Sequence, residues 1–218
     1  MNDERAFEDV LGRVVRALSG REVPFAAIGS IGSIAWGRPR WNRASADVDL
    51  LVRPQDAEAA QRALVEDGFL PVETQDEHRL LKVEGNGVGV DLIFRTAGDV
   101  YFDDEMRSRV SERDVLGVRV PVVSPEDLVV NRALAFSEQT PTYWAEALSI
   151  LARVELDWDY LLRRARHGVH RVLALLVYAQ SADLPVPAAA VRSLFALVDE
   201  EGGGPEEEPW RPRALRTT

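Results

Sequence analysis

The chain has 218 residues, a net charge of −10 and no cysteine, which fits one domain, or one domain with a helical appendix, and excludes a disulfide framework or a thiolate metal site. Apolar residues make up 46%, enough to fill a core, yet no apolar run approaches the ~20 residues that span a bilayer. The acidic balance argues against a surface that coats nucleic acid, and the opening MNDERAFEDV is acidic where a signal peptide would be basic, so a cytoplasmic protein with no membrane partner is expected.

ERAFEDVLGRVVRALSG repeats apolar residues at helical spacing (Phe7, Val10, Leu11, Val14, Val15, Leu18) and stops at Gly20, which predicts a first helix. PFAAI reads as a short buried strand, and GSIGSIAWG as a turn and short helix ended by Gly37 and Pro39. ADVDLLV is a strand and PQDAEAAQRALVEDGF an amphipathic helix after a Pro start. HRLLKVEGNGVGVDLIF resembles a hairpin around Asn86-Gly87, a pair suited to positive φ. VRVPVV is a further strand. From Ser124 the pattern turns helical: SPEDLVVNRALAFS has a Ser cap, Pro at the first helical position and acids in the first turn. Helical patterns follow at about 141–153, 157–167, 169–181 and 187–199. The expected organisation is therefore a domain over 1–123, a helical segment over 124–199 and a disordered tail over 200–218, where EEGGGPEEEPWRPRALRTT lacks periodicity.

ADVDLLV places Asp47 and Asp49 two apart, so both carboxylates point to one face of a strand, with Val48, Leu50 and Val52 on the other. Two like charges in an otherwise apolar strand are unfavourable unless a cation or water screens them. GVGVDLIF sets Asp91 and Gly89 opposite Val90, Leu92 and Phe94 in the same way. If the two strands are neighbours, three carboxylates converge. Oxygen donors without His or Cys suit a hard cation such as Mg²⁺ bound together with substrate phosphates.

A strand ending at Ile28, then Gly-Ser, a short helix, a loop and Asp-x-Asp on the next strand resembles the nucleotidyltransferase superfamily that includes DNA polymerase beta. GSIGSIAWGRPR is similar in pattern to abortive-infection-type and other small bacterial nucleotidyltransferases. The resemblance covers about residues 20–135 and implies an α+β fold, a mixed sheet with flanking helices, followed by a helical segment that shapes the acceptor side. It also implies transfer of NMP from an NTP, ATP foremost, to a hydroxyl, with release of pyrophosphate. Asp47, Asp49 and Asp91 would hold Mg²⁺, Asp91 could also take the hydroxyl proton, and Gly29 and Ser30 would cradle the triphosphate. Thirteen residues separate Ser33 from Asp47 and sixteen separate Ser30 from it; the end of the strand at Ile28 favours Gly29-Ser30, with Ser33 one turn further along assisting. Arg132 stands where the family often carries a Lys on the helix after the sheet.

Arg38, Arg40 and Arg43, interleaved with Trp36 and Trp41, lie between the turn and the acids, and Arg40 is the expected triphosphate ligand among them. The aromatics Tyr143, Trp144, Trp158 and Tyr160 are read as packing, Glu146 as a neighbour of the acceptor pocket, and His167 and His170 as a surface pair. Lys82 is the single lysine among 26 basic residues, a bias read as base composition. The expected acceptor is a small molecule, with tRNA, as in toxin-type relatives, the alternative; a catalytically silent, antitoxin-like interaction module is the reading from another class.

Overall fold

A computed structural model describes residues 2–37 and 47–201. Arg38, Arg40, Trp41 and Arg43 and the stretch from residue 202 onward lie outside the described residues. Strand β1 (Phe25–Ala27) pairs antiparallel with β2 (Val48–Val52) and parallel with β7 (Val118–Val122). On one side β2 runs parallel to β5 (Val88–Ile93), which pairs antiparallel with β4 (Leu80–Gly85), and β4 with β3 (Leu70–Val72). On the other side β6 (Ser111–Val115) pairs antiparallel with β7. Among the described residues these strands form one mixed sheet in the order β3-β4-β5-β2-β1-β7-β6. The expected hairpin is β4–β5, and its two turn residues, Asn86 and Gly87, have φ of 53° and 74°, the double positive that suits the twist of a two-residue hairpin.

Each face of the sheet carries its own apolar layer. On one face, Phe7, Leu11, Val14 and Leu18 of α1 (Asn2–Ser19) and Ala60 and Leu64 of α3 (Ala57–Glu66) pack on Val48, Leu50, Val90 and Leu92. On the other, Ala26, Ile28, Leu51 and Val123 pack with the helices that follow the sheet. These are α5 (Pro125–Ala135), α6 (Thr142–Leu151), α7 (Trp158–Ala165), α8 (Val169–Ser181) and α9 (Ala188–Glu201). The helical segment thus shares a core with the sheet. Helix α2 (Gly29–Trp36) follows β1 after the single residue Ile28. A short helix, α4 (Asp104–Ser108), capped by the Asp103 carboxylate, precedes β6.

Helix α5 begins as its sequence predicts, with the Ser124 hydroxyl accepting from the Asp127 N–H and Pro125 in the first turn. Its start is anchored by Asp127, which accepts from the Tyr160 hydroxyl at 2.7 Å and lies 3.0 Å from Arg164, itself paired with Asp103 at 2.6 Å. Burial raises the Asp127 pKa, against the opposing pull of Arg164 and the hydroxyls of Tyr160 and Ser124. No helix among the described residues is long and apolar enough to cross a membrane.

Candidate active site

The register of three adjacent strands sets one row of charged side chains. Asp49 on β2 is the parallel neighbour of Asp91 on β5, and Asp91 faces Lys82 on β4. Residues in register share a face, so Lys82, Asp91 and Asp49 project to the side on which Leu51 joins the helical core. Two residues along β2 from Leu51, Asp49 lies where the helices leave a cleft. Asp47 sits just ahead of β2, against the Cα of Gly89, where a Cβ would lie 2.8 Å from its Oδ1. The neighbouring strands, the shared face and the opposite apolar face of Val48, Leu50 and Val52 agree with the reading from sequence.

Lys82 Nζ donates to Asp47 Oδ2 at 2.9 Å and forms an ion pair with Asp91 Oδ1 at 3.1 Å. The ammonium thus joins two of the three carboxylates. The pKa of Asp49 is pushed up to about 7, first by burial, then by Asp91 and Asp47, with Arg132 and Lys82 pulling the other way. The pKa of Asp91 is also raised by burial, against Lys82. For Lys82, burial works against the charge, but the hydrogen bonds to Asp47 and Asp91 outweigh it and the pKa rises. Among the described residues no group of three or more His, Asp, Glu or Cys is gathered tightly enough to cage an ion by itself.

The first residue of α2, Gly29, has φ +61°, and a Cβ here would collide with the Asp49 carboxylate. Only glycine combines that backbone conformation with that approach. The N-cap residue Ile28 has no side-chain acceptor for the first N–H groups of α2, and its own N–H donates to the Asp49 carbonyl at 3.0 Å. Gly32 has a different neighbour, Leu128 of α5. Of the two Gly-Ser pairs, Gly29-Ser30 therefore abuts the acids, and Ser30 is buried there.

Ser33, expected to assist Gly29-Ser30 with the nucleotide, does not line the cleft beside Asp49. It is buried, with its hydroxyl 3.1 Å from the Gly29 carbonyl and 2.7 Å from Glu146 Oε2. Glu146 in turn pairs with Arg132 at 2.8 Å, both side chains buried, and Arg132 stacks over Tyr143 at 4.4 Å. The helical position of Ser33 was legible; its partner, 113 residues away, was not. A cleft of about 150 Å³ opens beside Asp49, lined by Gly29, Arg79, Arg95, Arg132 and Tyr143 among others. Arg79, Arg95 and Lys82 escaped the sequence reading. For Lys82 a signal existed: a two-residue turn at Asn86-Gly87 pairs Gly85 with Val88 and, counting outward, Lys82 with Asp91. Arg40, the remaining candidate, lies outside the described residues.

The sequence match over most of the chain shows a nucleotidyltransferase. Residues 2–182 match the family model described as "Uncharacterised nucleotidyltransferase", and the chain belongs to that family of enzymes. No curated protein matches it. Solved structures with this fold include the antibiotic-resistance factor ANT(2'')-Ia in solution, at 17% identity and TM-score 0.51, covering 93% of this chain and 98% of that one. The crystal structure of ANT(2'')-Ia in complex with adenylyl-2''-tobramycin aligns at 15% identity and TM-score 0.50, covering 80% and 97%. An antigenic nucleotidyltransferase-like protein from Paracoccidioides brasiliensis aligns at 14% and 0.52, covering 87% and 93%. At these identities the likeness is one of fold.

Proposed function

We propose that the chain is a Mg²⁺-dependent cytoplasmic enzyme that transfers NMP from an NTP, ATP foremost, to a hydroxyl of a small molecule. The observation that carries this reading is the contact between the Gly29 turn and a carboxylate of the Asp47–Asp49–Asp91 cluster. The donor chemistry fits a hard cation: three carboxylates without sulfur or imidazole, one of them, Asp49, half-buried and raised in pKa beside the like charges of Asp91 and Asp47. Asp49 would hold it with Asp47 and Asp91, and the bound ion would supply neutralisation of the charge on the phosphates. Gly29 would let the triphosphate approach the backbone, and the first N–H groups of α2, which have no side-chain cap, would donate to its oxygens. Arg132 stands where a guanidinium can bind a phosphate, and Arg79 and Arg95 add positive charge to the same cleft. The acceptor oxygen bonds to the α-phosphorus as the bond to pyrophosphate breaks. Asp91 would also take the hydroxyl proton, a role favoured by the burial that raises its pKa against Lys82.

The small-molecule acceptor is supported by the fold shared with ANT(2'')-Ia, whose crystal structure holds adenylyl-2''-tobramycin. The test incubates the protein with labelled NTPs, Mg²⁺ and either a panel of hydroxylated cationic small molecules or total tRNA. Label on a small molecule, abolished by Asp47→Asn, is the expected result. Label on tRNA would overturn the acceptor while keeping the class, and no transfer from any NTP would favour a silent interaction module.

A further inference from the structure

Lys82 spans Asp47 and Asp91 at 2.9 and 3.1 Å. We infer that this ammonium is a tethered cation standing in for one of the two metal ions that a three-carboxylate cluster can hold, so that the chain binds a single divalent ion, on the Asp49 side. The inference rests on the metal-dependent reading above. Register fixes the ammonium there, because β4 and β5 are joined by a two-residue turn and Lys82 lies directly opposite Asp91. The residue type carries the same message. Of 26 basic residues Lys82 alone is a lysine. Arginine presents a planar fork suited to one carboxylate, whereas an ammonium is a compact point charge with three rotatable donors. It can bridge two carboxylates that point toward a common centre, as an ion would. At this position the general arginine preference of the chain gives way.

The test counts Mn²⁺ by electron paramagnetic resonance on the full chain, saturated with a non-hydrolysable NTP analogue. One Mn²⁺ per wild-type chain and two per Lys82→Met chain are expected, together with a lower metal-free melting temperature for the variant and a larger rise on adding Mn²⁺. Two ions in the wild type, or one in both proteins, overturns the inference. No Mn²⁺ in either protein overturns the metal-dependent reading beneath it, so the two failures are distinct. Should Lys82→Met not fold, Lys82→Gln removes the same charge with a polar side chain of similar reach, and the wild-type count alone still decides against the inference if it is two.

Discussion

At Asp49 the folded chain binds a proton more tightly than the unfolded one, because burial and the charges of Asp91 and Asp47 raise its pKa to about 7. Stability contributed by this group is therefore fully present below its unfolded pKa of 3.8 and is lost as pH rises toward 7. Asp49→Asn should flatten that part of the pH dependence and leave the metal-free protein at pH 8 as stable as the wild type or more so. Thermal melts of both proteins across pH 4–8 in a chelator check this; a variant that melts far lower at pH 8 would make Asp49 a structural residue. The same change should remove the rise in melting temperature produced by Mg²⁺ and ATP. Gly29→Ala tests the neighbouring residue. Positive φ alone costs an L-residue roughly 1–2 kcal/mol, and the added Cβ must displace the Asp49 carboxylate. Urea denaturation should show at least that loss, with nucleotide binding weakened further.

Helix α5 is held near both ends by buried charge: Asp127 to Arg164 at its start, Arg132 to Glu146 toward its end. Removing one partner of a buried pair strands the other charge, at about 3–5 kcal/mol. Glu146→Leu should lose stability of that order in urea, and adding Arg132→Met should recover much of it while still weakening nucleotide binding. Elements like α5 were legible because their signals are local: a Ser cap, Pro at the start, acids in the first turn, a helical period. The two strands that escaped the reading, β3 and β6, are the sheet's edges. SERDV is charged and alternates with solvent, and LPV carries Pro71 with Leu70 exposed. Edge strands are kept polar or Pro-bearing against aggregation, and that same device erases the apolar signal. The acids were found because carboxylates in apolar strands stand out. The Ser33–Glu146–Arg132 joint was not, because its members come from three helices brought together only by packing.

At the scale of the whole molecule, the sheet has two apolar faces and one of them is closed by the segment after Ser124. Ala26, Ile28, Leu51 and Val123 are buried in the layer that this segment completes. A fragment ending at residue 123 would expose them, so it should give no cooperative melt and should bind a dye such as ANS. A sharp transition in that fragment would show that the first part folds independently. Leu128→Ala, within α5 and against Gly32, should lower the stability of the full chain by about 2–5 kcal/mol without a separate first transition in the melt.

The row of Lys82, Asp91 and Asp49 also constrains how this chain can drift over generations. Its geometry depends on how many residues separate the charges along β4, the Asn86-Gly87 turn, β5 and β2. Dropping or adding one residue in a strand turns every side chain beyond it to the opposite face, sending carboxylates into the layer of Val48, Val90 and Leu92 and valines into the cleft. Descendants should thus tolerate many changes of letter between residues 80 and 93 but almost none of spacing. Gains and losses of residues should collect instead in the connections after the hairpin and between the C-terminal helices, where the choice of acceptor can change while the charged row keeps its ruler.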